Sequence, residues 1–337
     1  MKALTLTQPG GLDNITLSEI SDPGSPGAGE IRVAIKASSL NFHDLLVANG
    51  TVPTEAERIL MSDGAGVVEA VGEGVTEFAV GDNVVSTFFP NWEAGKPFAG
   101  VGHFAHTPGD GAQGMAAEYV VRPVSAFTHA PKGWSHAESA TITTAALTAW
   151  RALVVDGQLK AGETVLTLGT GGVSIAAIQL AKAMGARVIA TSSSEDKLAK
   201  VKALGADAVI NYKTHPEWSQ QVIDLTAGQG VDHVVEVGGP GTLAQSIQSV
   251  KVGGHIALIG VLTGVQGDVP TSILMAKQAR LQGLIVASRQ DQQEFISALE
   301  QTNIRPVIDT TFSFDQLAQA FEHQQAGKHF GKVCVEW

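Results

Sequence analysis

The chain has a single cysteine, Cys334. One thiol cannot close an internal disulfide, and it cannot build a four-cysteine zinc lobe. Cations are also scarce: 22 Lys and Arg stand against 33 Asp and Glu, for a formal net charge of −11. An acidic surface repels nucleic acid phosphates and anionic lipid, so neither is an expected partner. It leaves room for a phosphorylated cofactor, because backbone amides at a helix start make a local anion site. No apolar run approaches the roughly 20 residues that cross a bilayer. The opening Met1-Lys2-Ala3-Leu4-Thr5-Leu6 reads as the start of a strand and has no secretion-signal pattern. The expected location is the cytoplasm.

What is plentiful is glycine, 38 of 337 residues, within a chain that is 44% hydrophobic. That length and apolar content suit two domains. Residues 1–122 read as β-rich: short apolar segments at Ile31–Ile35, Gly66–Val71 and Asn83–Thr87 alternate with Gly, Pro and Asp turns. Residues 88–114, rich in Gly, Pro, His and aromatics, show no period and read as a long loop. Between Glu163 and Val286 the pattern changes to apolar strands alternating with helical stretches. Strands are expected at Thr164–Leu168, Arg187–Thr191, Val209-Ile210, Val231–Val237, His255–Ile259 and Leu284–Ala287, with helices at Ile175–Met184, Ser194–Leu204 and Gly241–Val250. Such alternation implies right-handed βαβ units and a parallel sheet. The end of the chain reads as a helix, Phe314–Gln325, and a closing strand, Lys332–Trp337.

Strand Thr164–Leu168 runs into Gly169-Thr170-Gly171-Gly172-Val173-Ser174, and a helix follows. In that context Gly169 permits the tight turn and Gly171 admits a pyrophosphate to the free amides and dipole of the helix start. Ser174 replaces the third glycine of the dinucleotide fingerprint, small enough to pack and with a hydroxyl able to bond a phosphate. The next strand ends Ala190-Thr191-Ser192-Ser193-Ser194, where NAD enzymes carry an acid for the ribose hydroxyls. Hydroxyls at Ser192 and Ser193 tolerate a 2′-phosphate, so NADP(H) is favoured, with Lys197 and Tyr212 as further partners. The alternative for Ser194 and Lys197 is a helix cap and a solvated surface.

The order of elements resembles the medium-chain dehydrogenase/reductase superfamily across the whole chain. The resemblance rests on Gly64-Ala65-Gly66-Val67-Val68-Glu69-Ala70-Val71-Gly72, Val80-Gly81-Asp82-Asn83-Val84, the glycine turn with Gln179-Leu180-Ala181-Lys182, Ala203-Leu204-Gly205-Ala206-Asp207, and Gly327-Lys328-His329-Phe330-Gly331-Lys332-Val333. It implies an α/β chain: a GroES-like β-barrel catalytic domain from residues 1–122 and 300–337, and a doubly wound Rossmann domain from residues 123–299. It also implies an active site in the cleft and a homodimer or homotetramer. The zinc alcohol dehydrogenases of the superfamily bind metal through Cys, His and Cys; the matching residues here are Asn41, Ser62 and Thr144. His43, His103 and His106 are weak substitutes, so no metal is expected and the chain resembles the zinc-free quinone oxidoreductase-like branch.

Without a Lewis acid, charge that builds on oxygen during hydride transfer falls to hydrogen-bond donors, which favours acceptors that delocalise it. That points to quinones, enals and enones. Asn41, at the first ligand's place, is the expected oxyanion donor. His43 is a proton donor or relay, and Asp44 either orients it or caps the helix beginning near Leu45. Asp63 matches an acidic residue near the metal of zinc relatives, or is a buried structural carboxylate. The enoyl reductases of the superfamily carry a tyrosine just after this region. Ala48-Asn49-Gly50-Thr51-Val52 has none, which argues against a fatty enoyl thioester. By resemblance Thr148, Gly260, Val261 and Ser288 approach the nicotinamide, and Arg289 and Lys332 serve its phosphates. A metal-independent alcohol dehydrogenase and a non-catalytic NADPH-binding protein are the alternative functions.

Overall fold

The computed structural model describes residues 1–337. The chain divides into two units: Met1–Leu147 with Val286–Trp337, and Thr148–Ile285. The boundaries expected from sequence, after residues 122 and 299, differ for a physical reason. Helix His136–Ala140 packs Ala137 and Ala140 among Ala37, Ala65 and Cys334. Helix Arg289–Glu300 sends Gln292 Nε2 to Thr128 Oγ1 (2.7 Å) and Ser86 O (3.0 Å). Both helices therefore attach to the first unit.

The first unit is GroES-like. Its main sheet runs Ile308–Ser313, Lys332–Glu336, Glu30–Ser39, Ala65–Val71, Asn83–Ser86, Phe127–His129, with Tyr119–Pro123 also paired to Glu30–Ser39. A small sheet of Ile15–Glu19, Lys2–Leu6 and Arg58–Ile59 stands beside it. Leu4, Ile31, Ile35, Phe127 and Phe321 fill the core between them. Gly66 is required by close approach: a Cβ there would lie 2.0 Å from Ala34 O, so any side chain would break the Glu30–Ser39 ladder. That ladder carries the turn Leu60–Gly64 toward Ser38 and Ser39.

The second unit is a six-stranded parallel sheet in the order Ala208–Asn211, Arg187–Ser192, Thr164–Leu168, Val231–Glu236, Val250–Leu258, Arg280–Gly283. Val165, Leu166, Val188, Ile189, Val234 and Val235 have no exposure at all, as strands covered on both faces require. Strand order reverses between Thr164–Leu168 and Val231–Glu236, which opens a crevice at their carboxyl ends. One expected strand is corrected. The last ladder is Arg280–Gly283, and the chain leaves the sheet at Leu284, with Val286 at φ 43°, outside strand conformation. No helix is long and apolar enough to cross a membrane.

Near the amino ends of these strands lies a buried histidine pair. His255 Nδ1 accepts a hydrogen bond from Arg280 Nε (3.0 Å), and His233 Nε2 lies 2.9 Å from Glu163 Oε2. Burial, with Arg280 and His233 adding repulsion, holds His255 down to about 4 against an ordinary 6.5. Between those values the unfolded chain binds a proton that the fold rejects. Stability is therefore whole above pH 6.5 and falls as pH drops toward 4, by about 2 kcal/mol after screening. His255→Asn offers Arg280 an acceptor that does not titrate. Urea unfolding at pH 7 and 4.5 should show a smaller acid loss in that variant; an equal loss would acquit the histidine.

Candidate functional site

Strand Thr164–Leu168 ends at Gly169, whose φ of 73° only glycine adopts without strain. Gly171 caps the helix Gly172–Ala183, so the first-turn amides at Gly172, Val173 and beyond lack helical acceptors and face the turn. Thr170 is buried within it. Ser174 is corrected: its Oγ donates to Leu168 O at 2.7 Å, closing the turn from inside rather than meeting a phosphate.

A cavity of about 400 Å³ opens beside this turn, lined by Leu168, Gly169, Thr191, Tyr212, Trp218 and Leu262 among others. The expected Tyr212 lies on its wall. Ser192 is buried at the strand end, its Oγ accepting from Ser194 N at 3.4 Å, and Ser193 is half-buried beside it. Ser194 caps the next helix by accepting from Lys197 N, as the alternative reading had it. Gly260 and Val261 follow strand Val250–Leu258, with Gly260 so close to Val237 that a Cβ would stand 2.1 Å from its carbonyl oxygen. Thr148 is buried in the same unit. Sequence reasoning missed Glu236. Fully buried, its Oε1 accepts from Gly238 N (2.8 Å), Gly239 N (3.0 Å) and Thr242 Oγ1 (2.6 Å), fixing the loop that forms the cavity's far wall. The Gly238-Gly239-Pro240-Gly241 run after an apolar strand was the available signal.

The first unit gathers a second set of groups. Asn41 precedes helix Phe42–Ala48. Its Nδ2 donates to Asp44 Oδ2 at 3.0 Å and makes two long contacts of 3.4 Å, to Ser39 O and Ser62 Oγ. Its Oδ1 accepts from Lys332 Nζ at 2.6 Å. Lys332 also donates to Leu40 O (2.6 Å) and lies 3.7 Å from Asp63 Oδ2. Asp63 accepts from Ser39 Oγ (2.5 Å) and from Thr144 Oγ1 (2.6 Å), the latter presented by a π-helical turn, Ile142–Ala146. Complete burial pushes the Asp63 carboxyl above its ordinary range; Lys332 and the two hydroxyls oppose that shift, and Asp44 adds to it.

Four expectations are corrected by this geometry. Lys332 is not a phosphate ligand, because its ammonium is enclosed and spent on Leu40, Asn41 and Asp63. Arg289 is likewise committed, through Nε to Phe127 O (2.9 Å) and through its outer nitrogens to Glu77 and Glu93. Ser288 is the cap of helix Arg289–Glu300, bonded to Asp291. Asp44 does not orient His43: its carboxylate accepts from Asn41 N (3.0 Å), Asn41 Nδ2 and Ser62 N (2.8 Å). His43 instead lies with Nε2 3.0 Å from Asp110 Oδ2.

Known proteins match both parts of the chain. A model of the alcohol dehydrogenase GroES-like domain matches residues 27–132, and a zinc-binding dehydrogenase model matches residues 172–301. A zinc-type alcohol dehydrogenase-like protein of Schizosaccharomyces pombe is 41% identical, over 97% of this chain and 96% of its own length. The chain belongs to the medium-chain dehydrogenase/reductase superfamily. It is an oxidoreductase built for a nicotinamide cofactor. A solved NAD-dependent alcohol dehydrogenase is 36% identical with a TM-score of 0.90, each chain covered in full. An acryloyl-coenzyme A reductase of Sulfurisphaera tokodaii is 28% identical over 100% of both chains.

The zinc of the superfamily's alcohol dehydrogenases does not fit the residues found here. The three ligand places hold an amide and two hydroxyls, Asn41, Ser62 and Thr144. Zinc sites take thiolate, imidazole or carboxylate. The two carboxylates beside them are already engaged: Asp63 faces the Lys332 ammonium, and Asp44 accepts from Asn41 and Ser62.

Proposed function

We propose that this medium-chain dehydrogenase/reductase is an NADPH-dependent, metal-independent reductase of conjugated carbonyls and quinones. The observation that carries the reading is the Lys332–Asn41–Asp63 network at the metal's place. Lys332 pulls electron density from the Asn41 amide through Oδ1, which makes Nδ2 a stronger donor. One Nδ2 hydrogen is held by Asp44, while the other has only the two long contacts and is available to an oxyanion. A single amide hydrogen stabilises an enolate or hydroquinone anion, whose charge is spread, better than a localised alkoxide. The thioester in the Sulfurisphaera relative's name is one such conjugated carbonyl.

NADPH rather than NADH is supported by the hydroxyls of Ser192 and Ser193 where a ribose-binding carboxylate would repel a 2′-phosphate. The bound cofactor supplies hydride; the chain supplies the amide-rich turn Gly169–Val173 for the pyrophosphate and Tyr212 for the adenosine end. Small-molecule substrates, absence of nucleic acid and membrane partners, and a homodimer or homotetramer complete the proposal. The test is NADPH oxidation after chelator treatment with 1,4-quinones, enals, enones and simple ketones. Turnover of the first three classes and not the last is expected. Turnover confined to simple alcohols and ketones would replace this reading with that of an alcohol dehydrogenase, the activity named for the 36% identical structure.

A further inference from the structure

His43 stands on the first turn of helix Phe42–Ala48, two residues after Asn41. Its ring is clamped on two sides. Phe104 stacks on it at 5.0 Å and 20°, and Phe88 meets it edge-on at 5.6 Å and 74°. Phe104 adopts φ 53°, a left-handed conformation that costs a non-glycine residue free energy and tends to persist where the surroundings impose it. Phe88, Phe89, Trp92 and Phe104 form a continuous aromatic cluster that packs the His43 ring in place, with neighbouring ring centroids 4.7 to 6.3 Å apart and only Phe104 partly exposed.

The two ring nitrogens differ. Nε2 is enclosed and lies 3.0 Å from Asp110 Oδ2, off the line of a hydrogen bond. The Asp110 carboxylate is itself buried and has no other polar partner: its residue's remaining bonds, to Thr54 and Thr107, use the backbone. The Asp110 side chain keeps slight exposure, 12%, and the enclosed Nε2 is the one side-chain polar atom that faces its carboxylate, so the two belong together as a dyad. Catalytic hydrogen bonds are often misaligned before substrate binds and straighten afterwards. Nδ1 makes no hydrogen bond within the chain, and the side chain is one-fifth exposed. A carboxylate behind one nitrogen and nothing before the other is the arrangement of a positioned proton donor.

We propose that the His43–Asp110 dyad delivers the second hydrogen of the reduction, a proton to the α-carbon of a conjugated carbonyl that reaches the exposed side of the His43 ring. The inference rests on the conjugated-carbonyl reading above. The acceptor's β-carbon gains the hydride and forms a C–H bond, and the C=C pair moves toward the carbonyl to give an enolate. The enolate's α-carbon then takes the proton of imidazolium Nδ1. The N–H electron pair stays on the ring, Nε2–H remains on Asp110, and water returns the proton to Nδ1. Quinone reduction ends differently: the hydroquinone anion is protonated on oxygen, which solvent does quickly.

The experiment compares an α-methyl enal, whose reduced product is chiral at the protonated carbon, with a 1,4-quinone in the wild type, His43→Phe and Asp110→Asn. NADPH binding, read by fluorescence, serves as the control for an intact fold. In His43→Phe the ratio of enal to quinone turnover should fall about 100-fold, the worth of a general acid, and the enantiomeric excess of the aldehyde should collapse. Asp110→Asn should lower the same ratio at least tenfold, and it carries the test if His43→Phe fails to bind NADPH. An unchanged ratio with retained enantiomeric excess overturns the dyad, and so does an equal fall in both activities. A wild type that reduces quinone and no enal defeats the conjugated-carbonyl reading and the dyad with it; active wild type with indifferent variants defeats the dyad alone.

Discussion

Replacing Lys332 with methionine is expected to destabilise the barrel unit by about 3–5 kcal/mol at pH 7, because it strands a buried charge. Asp63 has no exposure, and its only cationic neighbour is the ammonium 3.7 Å away. Leu40 O and Asn41 Oδ1 lose their donor in the same step. The pH dependence carries the signature. Burial already raises the Asp63 carboxyl above its ordinary range, with Lys332 opposing; removal of the lysine raises it further. A raised carboxyl makes the fold bind the proton more tightly than the unfolded chain, so the variant regains stability as pH falls and Asp63 is neutralised. The gap between variant and wild type in urea unfolding should therefore narrow from pH 7 to pH 5. Adding Asp63→Asn should recover most of the loss at pH 7. A gap that is constant with pH, or a double variant no better than the single, would mean that the pair is not the source.

The second large effect concerns the cofactor. Ser192→Asp should reverse selectivity, lowering kcat/KM with NADPH relative to NADH by about 100-fold or more. The backbone of Ser194, whose N–H faces Ser192 Oγ at 3.4 Å, would hold the new carboxylate in place at the end of strand Arg187–Ser192. There it would bond the ribose hydroxyls of NADH and repel a 2′-phosphate, and like charges brought together cost several kcal/mol. Steady-state kinetics with both cofactors decides it; an unchanged ratio would remove Ser192 from cofactor choice and leave Ser193 or Tyr212 to account for it.

The alternating strands and helices of the second unit were legible because each element is local: apolar period, glycine stop, strand again. The exception, Leu284–Ala287, looked like a strand by apolarity alone; its left-handed Val286 is a conformational fact that composition does not encode. Cations were the hardest to place. Arg289 and Lys332 read as phosphate ligands, yet their partners lie far off in the chain, Glu77 at a separation of 212 residues and Asn41 at 291. Asp44 was correctly seen as a cap candidate, because caps are decided within a few residues. Asp110 was missed because it lies in a loop with no period, 67 positions from the His43 it faces (110 − 43). Local chemistry survives in the sequence; pairings closed by topology do not.

The interrupted barrel also has a consequence for how the chain is made. Strand Glu30–Ser39 meets its neighbour Lys332–Glu336 through Ala37, Ser38 and Ser39. On a ribosome adding about 5–20 residues per second, that end of the strand waits roughly 15–60 s for its partner. Over that interval its backbone groups form an open edge, the kind that recruits other nascent chains. The nucleotide-binding unit, Thr148–Ile285, is continuous and has every strand of its sheet in hand before the barrel's last residues emerge. Lys332 arrives with that strand, so the cation that faces Asp63 is in place only after the whole second unit has emerged.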